Sequence, residues 1–236
     1  MATILTRLQE VHARIAAACL SARRPVQSVT LLAVSKTQPA ACVREAFAAG
    51  ERCFGENYVQ EGVAKIAALA DLRGQIEWHL IGPLQSNKTR IVAEQFDWVH
   101  SVDRLKIAQR LSEQRPAHLP QLQVCLQVNI SGEASKGGLL PGEVAAVAQA
   151  VAALPRLRLR GLMAIPEPAS SVDAQRAPHA ALRALMQALQ QNGLDLDTLS
   201  MGMTADLEAA ILEGATMVRV GTAIFGARPP VKVVKD

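Results

Sequence analysis

The chain has 236 residues, half of them hydrophobic and 19% charged, which suits a folded chain with a sizeable core and excludes a disordered one. A net charge of +4 with only 3% aromatic residues suits a small anionic ligand and argues against nucleic acid, which would call for a stronger basic field or stacking platforms. No apolar run approaches the ~18 residues of a membrane span, and the first residues lack the charged-then-apolar pattern of a secretory leader, so a soluble cytoplasmic protein is expected.

Ile4, Leu8, Val11, Ile15 and Cys19 recur at helical spacing and predict an amphipathic opening helix that ends before Pro25. From there strand and helix patterns alternate. Strands are predicted over 29–35, 52–54, 77–81, 98–100, 122–128, 157–161, 198–200 and 217–220. The intervening helices are predicted over 40–48, 58–70, 88–94, 104–114, 143–153, 179–191 and 205–213, with a short helical piece after Gly221. Residues 166–171 read as a long exposed loop, and 229–236 as a loosely held tail. Strands separated by helices predict parallel pairing with right-handed crossovers. Eight such units point to an α/β fold, a single (β/α)8 TIM-type barrel with an extra N-terminal helix, occupying residues 1–236 as one domain. A doubly wound open sheet is the alternative that counting leaves open.

In such a barrel the chemistry sits where strands pass into helices, and the unusual residues of this chain gather at those junctions. Lys36 closes the first strand pattern. Burial there would favour a neutral amine suited to Schiff-base chemistry, whereas a lysine reaching out to solvent is the plainer reading. Ser200, Met201 and Thr204 follow the seventh strand, with Thr204 as the expected N-cap of the next helix, and Gly221 and Thr222 follow the eighth. Loops at these two positions are the usual phosphate site of the fold, although ordinary caps would give the same pattern. Arg219 alternates with Val218 and Val220 and so points into the barrel, toward a ligand acceptor or toward an internal salt bridge with Glu56 or Glu208. Asn57, with Gln60 three residues on, has the pattern of a helix cap within reach of a ligand. His79 is read as facing the barrel mouth or as a satisfied core histidine. Lys136, in a glycine-bearing loop, is a second lysine near the mouth. Arg156, Arg158 and Arg160 share one strand face at the opposite end. Cys19, Cys42, Cys53 and Cys125 form no C-x-x-C pair, no histidine pair has metal-site spacing, and no metal is expected.

Six segments together resemble one family: residues 32–39 (LAVSKTQP), 54–61 (FGENYVQE), 78–88 (WHLIGPLQSNK), 161–166 (GLMAIP), 199–206 (LSMGMTAD) and 217–226 (MVRVGTAIFG) look like the pyridoxal phosphate homeostasis proteins. The resemblance implies a barrel similar to the N-terminal domain of alanine racemase, with pyridoxal 5'-phosphate (PLP) held as an internal aldimine on Lys36. It implies that Ser200, Thr204, Gly221 and Thr222 surround the phosphate, that Arg219 approaches the pyridine nitrogen, and that Asn57, His79 and Met201 line the pocket. Thr204 departs from the serine more common in the family, but keeps a hydroxyl. The implied role is binding, buffering and delivery of PLP, with effects on amino-acid and keto-acid balance. PLP-dependent apoenzymes are the implied partners, and neither nucleic acid nor membrane is expected. Racemisation needs acid/base groups on both faces of the imine. The chain shows one tyrosine, Tyr58, early in a helix, and no second domain is expected, so a non-catalytic carrier is favoured over a low-activity amino-acid racemase. A monomer is expected, with a weak dimer as the alternative.

Overall fold

The computed structural model describes residues 2–133 and 137–226. Eight strands pair in parallel, each with the next and the last with the first, into a closed barrel: β1 (Thr30–Val34), β2 (Cys53–Glu56), β3 (Glu77–Leu80), β4 (Trp98–Val102), β5 (Leu122–Gln127), β6 (Leu157–Met163), β7 (Thr198–Ser200) and β8 (Met217–Val220). Closure rests on the register of β1 with β8, in which Leu32 lies opposite Arg219. The open-sheet alternative is thereby removed.

Helices α2 (Ala40–Ala48), α3 (Val59–Ala68), α4 (Thr89–Gln95), α5 (Leu105–Gln114), α6 (Val144–Ala152), α7 (Val172–Gln191), α8 (Leu207–Leu212) and α9 (Thr222–Phe225) follow the strands in turn. The opening helix α1 (Ile4–Ser21) buries the stripe Ile4, Leu8, Val11, Ile15 and Cys19, as its spacing predicts. It packs against α2, α8 and α9, covering the barrel wall that the four residues of α9 are too short to cover. Arg14 joins this helix to Glu208 on α8 at 2.8 Å.

Three local expectations are corrected. Helix α7 starts seven residues before the predicted 179, because the Ser171 hydroxyl caps it by accepting from Ala174 N–H, and Pro178 is carried inside it. Thr204 is not the cap of α8: Asp206 occupies that position and accepts from Met203 N–H, while Gly202 turns the chain at φ +89°. Asn57 does not cap α3, whose N-cap is Tyr58. Tyr58 itself is 59% exposed. The core lies between sheet and helices, with Phe54, Trp78 and Phe96 fully buried in it. The barrel interior is by contrast partly polar, and holds His79, His100, Ser200 and Arg219 with little or no exposure. Lys136 and the tail 229–236 lie outside the described residues.

Candidate functional site

At the C-terminal ends of the strands a cavity of about 190 Å³ opens, lined by Lys36, Asn57, Thr204, Arg219, Gly221 and Thr222 together with the apolar Val34, Ile81, Ile165 and Met203. A smaller hollow beside it shares Val34, Lys36, Gly221 and Thr222. Lys36 sits just beyond β1, half-buried, in a turn whose next residue, Thr37, has φ +64°. Thr222 opens α9, so the first N–H groups of that helix lack intrahelical acceptors beside the cavity. Asn57 Oδ1 is buried without a hydrogen-bond partner among the described residues, as is Thr37 Oγ1. Buried orphans of this kind usually mark a place for a ligand or a water. Gly82 holds Asn57 close: a Cβ there would lie 2.1 Å from the Asn57 carbonyl oxygen.

The turn bearing Lys36 is clamped from below. Lys65 Nζ donates to Ser35 O at 2.6 Å, to Glu56 Oε1 at 2.7 Å and to Glu61 Oε1 at 2.7 Å. Ser35 Oγ donates to Glu56 Oε1 at 2.6 Å, and Thr37 N–H donates to Glu61 Oε1. The residues on both sides of Lys36 are therefore tied to one buried ion network. Burial pushes the Glu56 carboxyl up, against the opposing pull of Lys65 and Ser35.

Arg219 forms the inner end of the cavity. Its guanidinium donates to Ser200 O, to Ser200 Oγ at 2.9 Å and to Ala164 O at 2.8 Å. Burial lowers it to about 10, so it keeps its proton at neutral pH. The alternative of an internal salt bridge is not realised among the described residues: Glu56 pairs with Lys65 and Glu208 with Arg14. From Ser200 Oγ a chain of hydrogen bonds runs down the barrel axis to His100 Nδ1 (2.8 Å), from His100 Nε2 to His79 Nδ1 (2.9 Å), and from His79 Nε2 to Glu77 Oε1 (3.1 Å). Arg219 can only donate and the Glu77 carboxylate can only accept. The continuous arrangement thus has Ser200 donating to His100, His100 to His79, and His79 to Glu77. Burial, and then the charges of His79 and Arg219, hold the His100 pKa well below the usual histidine value. Glu77, bonded to His79, lies below the usual carboxylate range.

Residues 9–229 match the alanine racemase N-terminal domain family. The chain is 64% identical over 228 residues to the pyridoxal phosphate homeostasis protein of Pseudomonas aeruginosa, covering 97% of each, and 54% identical over 229 residues to that of Escherichia coli, covering 97% of this chain and 98% of the other. It belongs to this family. The solved structure of PipY from Synechococcus elongatus with PLP bound is 41% identical and superposes with a TM-score of 0.82, over 95% of this chain and 100% of that one.

Of the residues the family motifs single out, Lys36, Asn57, Thr204, Arg219, Gly221 and Thr222 line the cavity together. Ser200, Met201 and His79 do not line it and are fully buried. Ser200 holds Arg219 from within the barrel, Met201 packs in the core, and His79 stands two hydrogen bonds further down the axis, stacked on Trp98 with ring centroids 5.2 Å apart. The sequence reading overlooked Lys65, Glu61 and His100. The signal for the first two was present: Glu61 and Lys65 stand four apart on one helix face, and a lysine on a buried stripe demands acceptors. His100 had no local signature, since its partners come from β3 and β7.

Proposed function

We propose that this chain binds PLP in the cavity at the C-terminal ends of the strands, covalently through the Lys36 amine, and serves to buffer and deliver it without being an efficient catalyst. The observation that carries the reading is the meeting, in one small cavity, of an amine beyond the end of β1 with a fixed guanidinium and a hydroxyl-bearing helix start at the end of β8. When bound, PLP supplies an aldehyde for imine formation and an electron-withdrawing ring. Lys36 offers the amine, on a turn held by Ser35, Lys65 and Glu61. Thr204, Gly221 and Thr222 offer hydroxyls and backbone N–H groups to a phosphate. Arg219 keeps its proton, so it would leave a ring nitrogen unprotonated and blunt the electron sink.

The cavity also supports the carrier reading through what lines it. Lys36 and Arg219 are the titratable side chains among its described lining residues, so one face of a bound imine has no second acid or base. Family relatives are named for homeostasis rather than for a reaction. Delivery to PLP-dependent apoenzymes follows as the expected use. The test is the visible spectrum of purified protein, repeated for Lys36→Ala and followed by borohydride reduction and peptide mapping. A band lost in the variant and trapped on the Lys36 peptide supports attachment there. A colourless protein that cannot be reconstituted with PLP removes the proposal. Incubation with amino acids in deuterated water tests the carrier role, since steady incorporation at the α-carbon would favour a racemase.

A further inference from the structure

The end of the barrel remote from Lys36 carries a second cluster with chemistry of its own. Strands β2 and β3 pair so that Cys53 lies opposite Glu77 and Gly55 opposite His79. Side chains alternate along a strand, so Glu77 and His79 share a face, and the register brings Cys53 beside them. His79 Nε2 lies 3.1 Å from Glu77 Oε1, and Cys53 Sγ lies 3.8 Å from the same oxygen. The three donor atoms all fall within 4.8 Å of one another. In a tetrahedral zinc site with ordinary bond lengths, nitrogen–oxygen and sulfur–oxygen edges come to about 3.4 and about 3.6 Å. The cluster is within a few tenths of an ångström of those edges on the two sides that Glu77 shares.

We propose that Cys53, Glu77 and His79 form a binding site for a single thiophilic divalent cation of the zinc class, with its fourth position open to solvent. Three features beyond proximity support the assignment. The donor set of one thiolate, one imidazole and one carboxylate suits zinc and disfavours magnesium or calcium. His79 is fixed as a ligating histidine usually is, with its other ring nitrogen bonded to His100 at 2.9 Å and its ring stacked on Trp98. Cys53 and Glu77 also line a cavity of about 670 Å³ at this end of the barrel, which gives the metal an entry path and room for a water.

Binding displaces the Cys53 thiol proton to solvent, and the metal takes the lone pair of His79 Nε2. The His79 proton then resides on Nδ1 and points to His100. The two histidines reverse their hydrogen bonds, and Ser200 Oγ accepts from both His100 and Arg219, which its two lone pairs allow. The cation would thus be connected to the far cavity through Arg219.

Cobalt(II) added to the full-length protein, after treatment with a chelator, is the probe. Its d–d bands at tetrahedral sites lie at the red end of the visible spectrum, clear of PLP absorption. One equivalent should produce these bands with a thiolate charge-transfer feature, and zinc should displace them. Cys53→Ser should lose the charge-transfer feature and weaken zinc binding by at least about tenfold. Glu77→Gln should weaken it in the same direction, and Cys42→Ser should bind as the parent does. Lys36→Ala should retain the cobalt spectrum, so failure of this site and failure of the PLP reading are separable. Absence of tetrahedral bands, or bands unchanged in Cys53→Ser, would overturn the proposal.

Discussion

Replacing Lys65 by methionine should expose how the Lys36 turn is held. Lys65 and Glu56 are 6% and 0% exposed, and the ammonium makes three hydrogen bonds at 2.6–2.7 Å. Methionine keeps much of the volume and leaves the Glu56 carboxylate buried with no countercharge. Removal of one partner from such a pair typically costs about 3–5 kcal/mol. The carboxylate can escape by taking up a proton, and from an unfolded-state pKa near 4.3 this costs about 1.4 kcal/mol per pH unit, hence about 3.7 kcal/mol at pH 7 and about 1.6 kcal/mol at pH 5.5. The sign follows from Glu56 having a folded-state pKa already raised by burial and raised further without Lys65. The protonated form stabilises the fold at low pH, and that stability is lost as pH rises above the unfolded value. Urea denaturation of PLP-free protein at pH 5.5, 7 and 8 measures the deficit. It should grow with pH, and the melting temperature at pH 7 should fall by roughly 7–14 °C. Adding Glu56→Gln removes the orphan charge, so the double variant should be less destabilised than Lys65→Met alone. A deficit equal at all three pH values, or a double variant worse than the single one, would refute the account. The visible band should also form more weakly, because the backbone at Ser35 is no longer tied.

Arg219→Met strips Ala164 O of its donor and leaves Ser200 O with the Ala164 N–H alone, and should cost about 1–3 kcal/mol in urea denaturation; spectral titration should show PLP affinity lower by about tenfold or more. His100 has a depressed folded-state pKa, so its contribution to stability is present above about 6.5 and lost as pH falls. His100→Gln should therefore flatten the decline in stability between pH 6.5 and 5 by up to about 2 kcal/mol, measured by urea midpoints. Gly82→Ala places a Cβ against the Asn57 carbonyl and should destabilise by about 1–3 kcal/mol while weakening PLP binding, whereas Gly74→Ala, with open space around it, should do neither.

Much of the architecture was legible in the chain. Strand and helix alternation is a local property, set by β-branched runs and by stripes such as Ile4 to Cys19, so the eight units and the opening helix could be read directly. The junction residues Lys36, Asn57, Thr204, Arg219, Gly221 and Thr222 were legible for the same reason, since each lies within a few residues of the end of a strand pattern. The start of α7 was not, because Pro178 reads as a breaker and its neighbours are weakly patterned, while the Ser171 cap acts through backbone geometry. Register was also beyond reach. Only closure of β1 on β8 sets Arg219 in line with the cavity, and only the pairing of β2 with β3 sets Cys53 beside Glu77. The same holds for the axial path from Arg219 to Glu77, whose members come from β8, β7, β4 and β3. Local spacing governs which residues turn inward; which inward residues meet depends on long-range pairing, because the partners of a buried polar group are supplied by other strands.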